Sequence, residues 1–167
     1  MTRLDLLNVL CDVTRTETED IMMPTRVQKK DEIQRYRAAA VHRMRLPDGK
    51  AAEKKAPYII HQIITSKDSQ QPGQHVSSIV VIRSIFCVYN DDDKGEEEGS
   101  LMLLNLMERL RISLLKQVVI GERYELDLEA GMEALIYPDE TAPYYIGEMS
   151  TTWKLPAIKR EVKETWQ

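Results

Sequence analysis

Apolar side chains return along this chain with two different periods. After Thr2, which opens a Thr-x-x-Asp capping box with Asp5, the residues Leu4, Leu7, Leu10 and Cys11 recur every three or four positions, predicting a helix from residue 3 to about 13. From Tyr36 the period falls to two. Tyr36, Ala38, Ala40, His42, Met44 and Leu46 alternate with Arg35, Arg37, Ala39, Val41, Arg43 and Arg45, predicting one strand with four arginines on a single face. Pro47-Asp48-Gly49 is a turn signal, and PYIIHQIIT after it reads as a strand that is apolar on both faces. SSIVVIRSIFCVY is the longest β-branched run, which suits a central strand covered on both sides.

The second half of the chain begins with an acidic turn, after which Ser100 is placed to cap a helix running to about residue 116. RYELDL behind Gly121, GMEALIYP and YYIGEMSTTWKL supply the remaining strand signals, and Pro156 stops the last of them. The order predicts an α+β fold, a mainly antiparallel sheet of about five strands with two helices packed on one side. One domain over residues 1–156 and a charged tail over 157–167 complete the expected organisation.

The second helix carries more apolar surface than one core contact needs. At 100° per residue, Leu103, Leu106, Met107, Leu110 and Leu114 form the usual core-facing stripe, worth on the order of 8–15 kcal/mol before entropy costs. Leu101, Leu104, Ile112 and Leu115 form another arc nearly opposite, interrupted by Glu108. Either a second layer such as the first helix covers this arc, or another subunit does.

Charge divides the chain unevenly. Between Arg26 and Ile60 ten basic residues face four acidic ones, a local +6, so the rest carries −10 of the net −4. Such a chain can bind nucleic acid through Arg35, Arg37, Arg43 and Arg45, or dock on copies of itself. No aromatic interleaving or helix-turn-helix signal accompanies the arginines.

The acidic run Asp91, Asp92, Asp93, Glu96, Glu97 and Glu98 has the charge for a Ca²⁺ loop but not the spacing. Aligned on Gly95, Lys94 takes a ligand position and Leu101 stands where the bidentate Glu belongs. It reads instead as a hydrated turn near the positive end of the following helix, worth a few tenths to about 1 kcal/mol. His42, His61 and His75 have no partner spacing. Ser113-Leu-Leu-Lys116 matches Ser-x-x-Lys without the other motifs of that enzyme class, and GEEEGS has no Lys after its second Gly. No nucleophile, base and orienter can be nominated, so the expectation is a non-enzyme without cofactor or metal. Cys11 and Cys87 read as buried, reduced thiols, and no signal-peptide core or apolar run of about 18 residues is present.

From APYIIHQIIT through SSIVVIRSIFCVYNDDDKGEEEGSLMLLNLMERLRISLL to TAPYYIGEMSTTWKLPAIKREV, about residues 56–162, the chain resembles small tail-terminator or tail-completion proteins of tailed phages and prophages. That resemblance implies an α+β subunit that forms a ring, typically a hexamer, on the end of the tail tube. Such a ring stops tube growth and offers a surface to the head connector. It implies as partners copies of the chain itself, the tail-tube protein and the connector or neck protein, with DNA only in passage and no membrane. It places the protein at the head-tail junction of the virion, after assembly in the host cytoplasm. The alternatives are a head-to-tail neck or adaptor protein and, from the arginines, a nucleic-acid-binding module. In a ring that passes DNA, the acidic turn would line the lumen, where like charge repels phosphate.

Overall fold

The computed structural model describes residues 2–27, 32–47, 55–70, 76–91, 97–137 and 142–158. Helix α1 (Arg3–Thr18) starts as its capping box requires: Asp5 N–H donates to Thr2 Oγ1 (3.1 Å) and Thr2 N–H to Asp5 Oδ2 (2.7 Å). Those bonds from Thr2 hold the Asp5 carboxyl below its ordinary pKa. The helix runs a full turn beyond the predicted end, where Thr14 and Thr18 lie on its buried face with their hydroxyls satisfied by Leu10 O (2.7 Å) and Thr14 O (2.8 Å). Its buried face is Leu6, Leu7, Leu10, Cys11, Thr14 and Thr18.

The strand expected over 36–46 is two strands in two sheets. β1 (Met23–Pro24) pairs antiparallel with β2 (Tyr36–Arg37), while β3 (Ala40–Arg43) joins the main sheet parallel to β4 (Tyr58–Ser69). Between β2 and β3 the chain passes from one sheet to the other, and Ala40 N–H donates to Pro57 O at 3.1 Å. Met44, with φ 62°, then turns the backbone out of β3. The four arginines therefore do not share one face.

β5 (Ser77–Tyr89) is central, between β4 and β9 (Tyr144–Leu155). β9 carries β7 (Tyr124–Leu126) along one stretch of its other edge, with β6 (Val119–Ile120) paired beyond β7, and β8 (Glu133–Ile136) along another. The result is a seven-stranded mixed sheet, curled into a half-barrel, in place of the expected mainly antiparallel sheet of about five strands. Two things defeated the sequence reading. The parallel β3–β4 pair is set by long-range packing rather than local pattern, β6 is too short to show a period of two, and RYELDL and GMEALIYP mark β7 and β8 without giving their places along β9.

Helix α2 (Glu98–Gln117) lies beside α1 on the sheet face that bears Ile59, Ile82, Phe86, Met149 and Trp153. Glu97, not Ser100, is its N-cap residue, and it makes no side-chain capping bond. Gly99 is required where α2 meets β9, since a Cβ there would stand 2.1 Å from the Tyr145 ring. On the opposite sheet face a smaller cluster of Leu46, Ala56, Tyr58, Ile60, Cys87 and Tyr89 covers one end of β5. The other end of that face has no such cover among the described residues.

Inside the main core sits His61, fully buried. Its Nε2 is 2.9 Å from Thr14 Oγ1 and its Nδ1 is 2.7 Å from Ser84 Oγ. Thr14 already donates its proton to Leu10 O, so its hydroxyl accepts from His61 Nε2–H, and Nδ1 accepts from Ser84. Burial, assisted by the nearby Arg15 charge, pushes the imidazole down from 6.5 to about 3. As pH falls below 6.5 the unfolded chain takes up this proton before the folded one does. His61 therefore favours folding fully above pH 6.5, and that contribution is lost on the way to about pH 3, at up to about 1.4 kcal/mol per pH unit. His42, lowered by desolvation and by Lys55, Arg37 and Arg15, acts in the same direction. Urea unfolding at pH 7, 6 and 5 is expected to show this slope, and His61→Asn to be less stable at pH 7 yet flatter between pH 6.5 and 4.5. An equal slope in both proteins would remove His61 from the explanation.

Candidate assembly surface

The two apolar stripes of α2 meet different surroundings. Leu103, Leu106, Met107, Leu110 and Leu114 are buried against β5 and β9, while Leu101, Leu104, Ile112 and Leu115 are 56%, 41%, 42% and 38% exposed. The first helix does not cover this second stripe. It is held alongside α2 by Arg109, which reaches Asp20 at 3.2–3.3 Å, and by Gln117 Nε2, which donates to Glu17 Oε1 at 3.4 Å. Those exposed contacts add little energy, but they set α1 to one side. Within the stripe Glu108 is neutralised by a two-bond pair with Arg111, both at 2.8 Å, which lowers the carboxyl pKa and raises that of the guanidinium. The one charged interruption in the arc is thus partly quenched.

The arginines are dispersed. Arg37, its pKa lowered by desolvation, spends its guanidinium on Lys55 O (2.5 Å) and Ala38 O (3.2 Å). Arg43 turns toward α1 and donates to Asn8 Oδ1, while Arg35 and Arg45 are exposed. A continuous four-arginine phosphate face is not formed.

Of the acidic turn, Asp92, Asp93 and Glu96 lie outside the described residues. Asp91 accepts a bond from the Tyr89 hydroxyl at 3.2 Å, and Glu97 and Glu98 are exposed at the start of α2. Among the described residues no group of three or more His, Cys, Asp or Glu is arranged to hold a metal, and no helix is long and apolar enough to cross a membrane. Ser113 is buried inside α2, accepting from Gln117 Nε2 at 2.9 Å, while Lys116 is exposed. Cys11 and Cys87 are buried, and burial raises the Cys11 thiol to about 11.

A second surface was missed in the sequence. Strand register places Gln62, Arg83, Ser150 and Glu133 in one row across β4, β5, β9 and β8, with Glu148 and Leu135 in the neighbouring row. Of these, Arg83, Ser150, Glu133, Glu148 and Leu135 border, with Ile64 and Val81, a hollow of about 560 Å³ on the sheet face away from the helices. Arg83 donates to Gln62 Oε1 at 2.9 and 3.2 Å and approaches Glu148 to 4.0 Å, while Ile64 and Leu135 are about half exposed. Arg83 is the only charge within SSIVVIRSIFCVY, and that interruption is the one signal that could have marked this face as uncovered.

No family model matches the chain, and no curated protein matches its sequence.

Proposed function

We propose that this chain is a non-enzymatic assembly subunit of a tailed-phage virion. It forms a ring that caps the tail tube and joins it to the head connector. One observation carries the reading: a single copy leaves Leu101, Leu104, Ile112 and Leu115 in water along the outer side of a helix whose other side already fills the core. A contiguous apolar arc of that kind is stabilised when another chain covers it. The tail-terminator resemblance over residues 56–162 supplies the kind of assembly. A tail tube presents the same surface again with each added ring. A terminator matches that surface on one side and presents a different one on the other, so its own closing contacts run sideways between copies. Tail-tube and connector proteins are its other partners, DNA only passes through, and the site of action is the head-tail junction after assembly in the host cytoplasm. Exposed Arg35, Arg43 and Arg45 and the acid-rich remainder give neighbouring copies opposite charges to present to one another.

Deleting the gene from the phage or prophage that encodes it tests the proposal by electron microscopy of the lysate. Filled heads without tails, beside free tails of abnormal length or without a finished end, are expected. Normal tails that fail to join heads would favour a neck protein, and a block in DNA packaging would favour a nucleic-acid role. Either outcome overturns the terminator reading.

A further inference from the structure

The exposed stripe of α2 and the hollow in the sheet lie on opposite sides of one molecule. The core-facing side of α2 and the sheet itself stand between them, so they cannot meet within a chain. We propose that α2 of one copy docks in the sheet hollow of the next copy, a head-to-tail contact between two molecules of this chain; it rests on the assembly reading above. Three properties match. The stripe from Leu101 to Leu115 is about 21 Å long on a helix about 10 Å wide. The hollow is framed by four adjacent strands, β4, β5, β9 and β8, which together span about 14 Å between the outer two.

Both surfaces are apolar at their centres, with Ile64, Val81 and Leu135 in the hollow facing the leucines and Ile112 of the stripe. Their charges are opposite. The hollow bears Glu133 and Glu148 against Arg83, whereas on α2 Arg109 is paired with Asp20 and Arg111 with Glu108, so the positive charge at the C-terminal end of the helix is that of exposed Lys116. β8 adds a further reason for a partner there, since all four of its residues are exposed although it is hydrogen-bonded into the sheet. Each such contact covers on the order of several hundred Å² per copy, below the roughly 800 Å² per partner of a stable isolated pair. In a closed ring every copy uses both surfaces, which about doubles its buried area. Because the two surfaces differ, repetition of the contact generates a ring or a filament and not a two-fold dimer.

Site-directed crosslinking of the full chain tests this contact. Leu104→Cys or Ile112→Cys on the helix is combined with Ile64→Cys or Leu135→Cys in the hollow. All four positions are exposed and both native thiols are buried, so the substitutions leave the core intact and the background low. Under mild oxidation a mixture of a helix variant with a hollow variant is expected to form a disulfide-linked pair in at least one of the four combinations. The doubly substituted chain should give a ladder in steps of 19.3 kDa, and each single variant alone should stay uncrosslinked. Efficient crosslinking of Ile112→Cys to itself would mean that helices pair with each other and would overturn the docking. So would absence of crosslinks in all four combinations from a protein whose native mass is still that of several chains. A native mass of 19.3 kDa at the concentrations used would overturn the docking and the assembly reading together.

Discussion

Trp153→Ala is expected to cost about 3–5 kcal/mol, a large share of the roughly 5–15 kcal/mol available to a folded domain. Trp153 is fully buried where the central strands meet the helix layer, opposite Val80 on β5 and beside Leu126 on β7. Its loss removes the largest buried apolar side chain among the described residues and opens a cavity in the main core. A second effect is polar. The indole N–H donates to Thr151 Oγ1 at 2.9 Å, so the buried hydroxyl loses that donor when the indole goes. Trp153→Phe keeps most of the volume and loses only the donor, and is expected to cost less than half as much. Urea midpoints of the three proteins at pH 7 check the ranking. A loss below about 1 kcal/mol for Trp153→Ala would mean that the core does not close over this residue as described.

How much of this could be read in advance depended on whether the signal was local. The capping box of Thr2 and Asp5, the buried stripe of α2 and the long apolar strands β5 and β9 follow from neighbouring residues, and all were legible. The sheet was not. β3 alternates like an antiparallel strand, yet it lies parallel to β4 because the chain leaves β3 at Met44 and returns to start β4 alongside it. β6, two residues long, carries no periodicity and is held by register with β7, while the alternation of RYELDL marks β7 but not its place beside β9. The same distinction governs the candidate surfaces. The two-sided apolar character of α2 was visible, whereas the four-arginine face dissolved once residues 36–46 divided between two sheets, and the hollow exists only where four strands are placed side by side.

The exposed stripe of α2 leads to the other consequential substitution. Leu104→Glu with Leu115→Glu places one carboxylate toward each end of the outer arc without touching the buried one. The two side chains are 41% and 38% exposed in a single copy, so folding should change by no more than about 1 kcal/mol. At an interface the same change buries two unpaired charges for each contact, a cost that compounds around a ring and exceeds what a contact of this size supplies. The measurement is the native mass of the purified protein by sedimentation velocity, taken beside its urea midpoint, for the unsubstituted chain and the double variant. The expected result is a particle of several chains for the first and 19.3 kDa for the second, with midpoints nearly equal. A double variant that unfolds while its association is unchanged, or an unsubstituted chain that sediments at 19.3 kDa, would contradict assembly through α2.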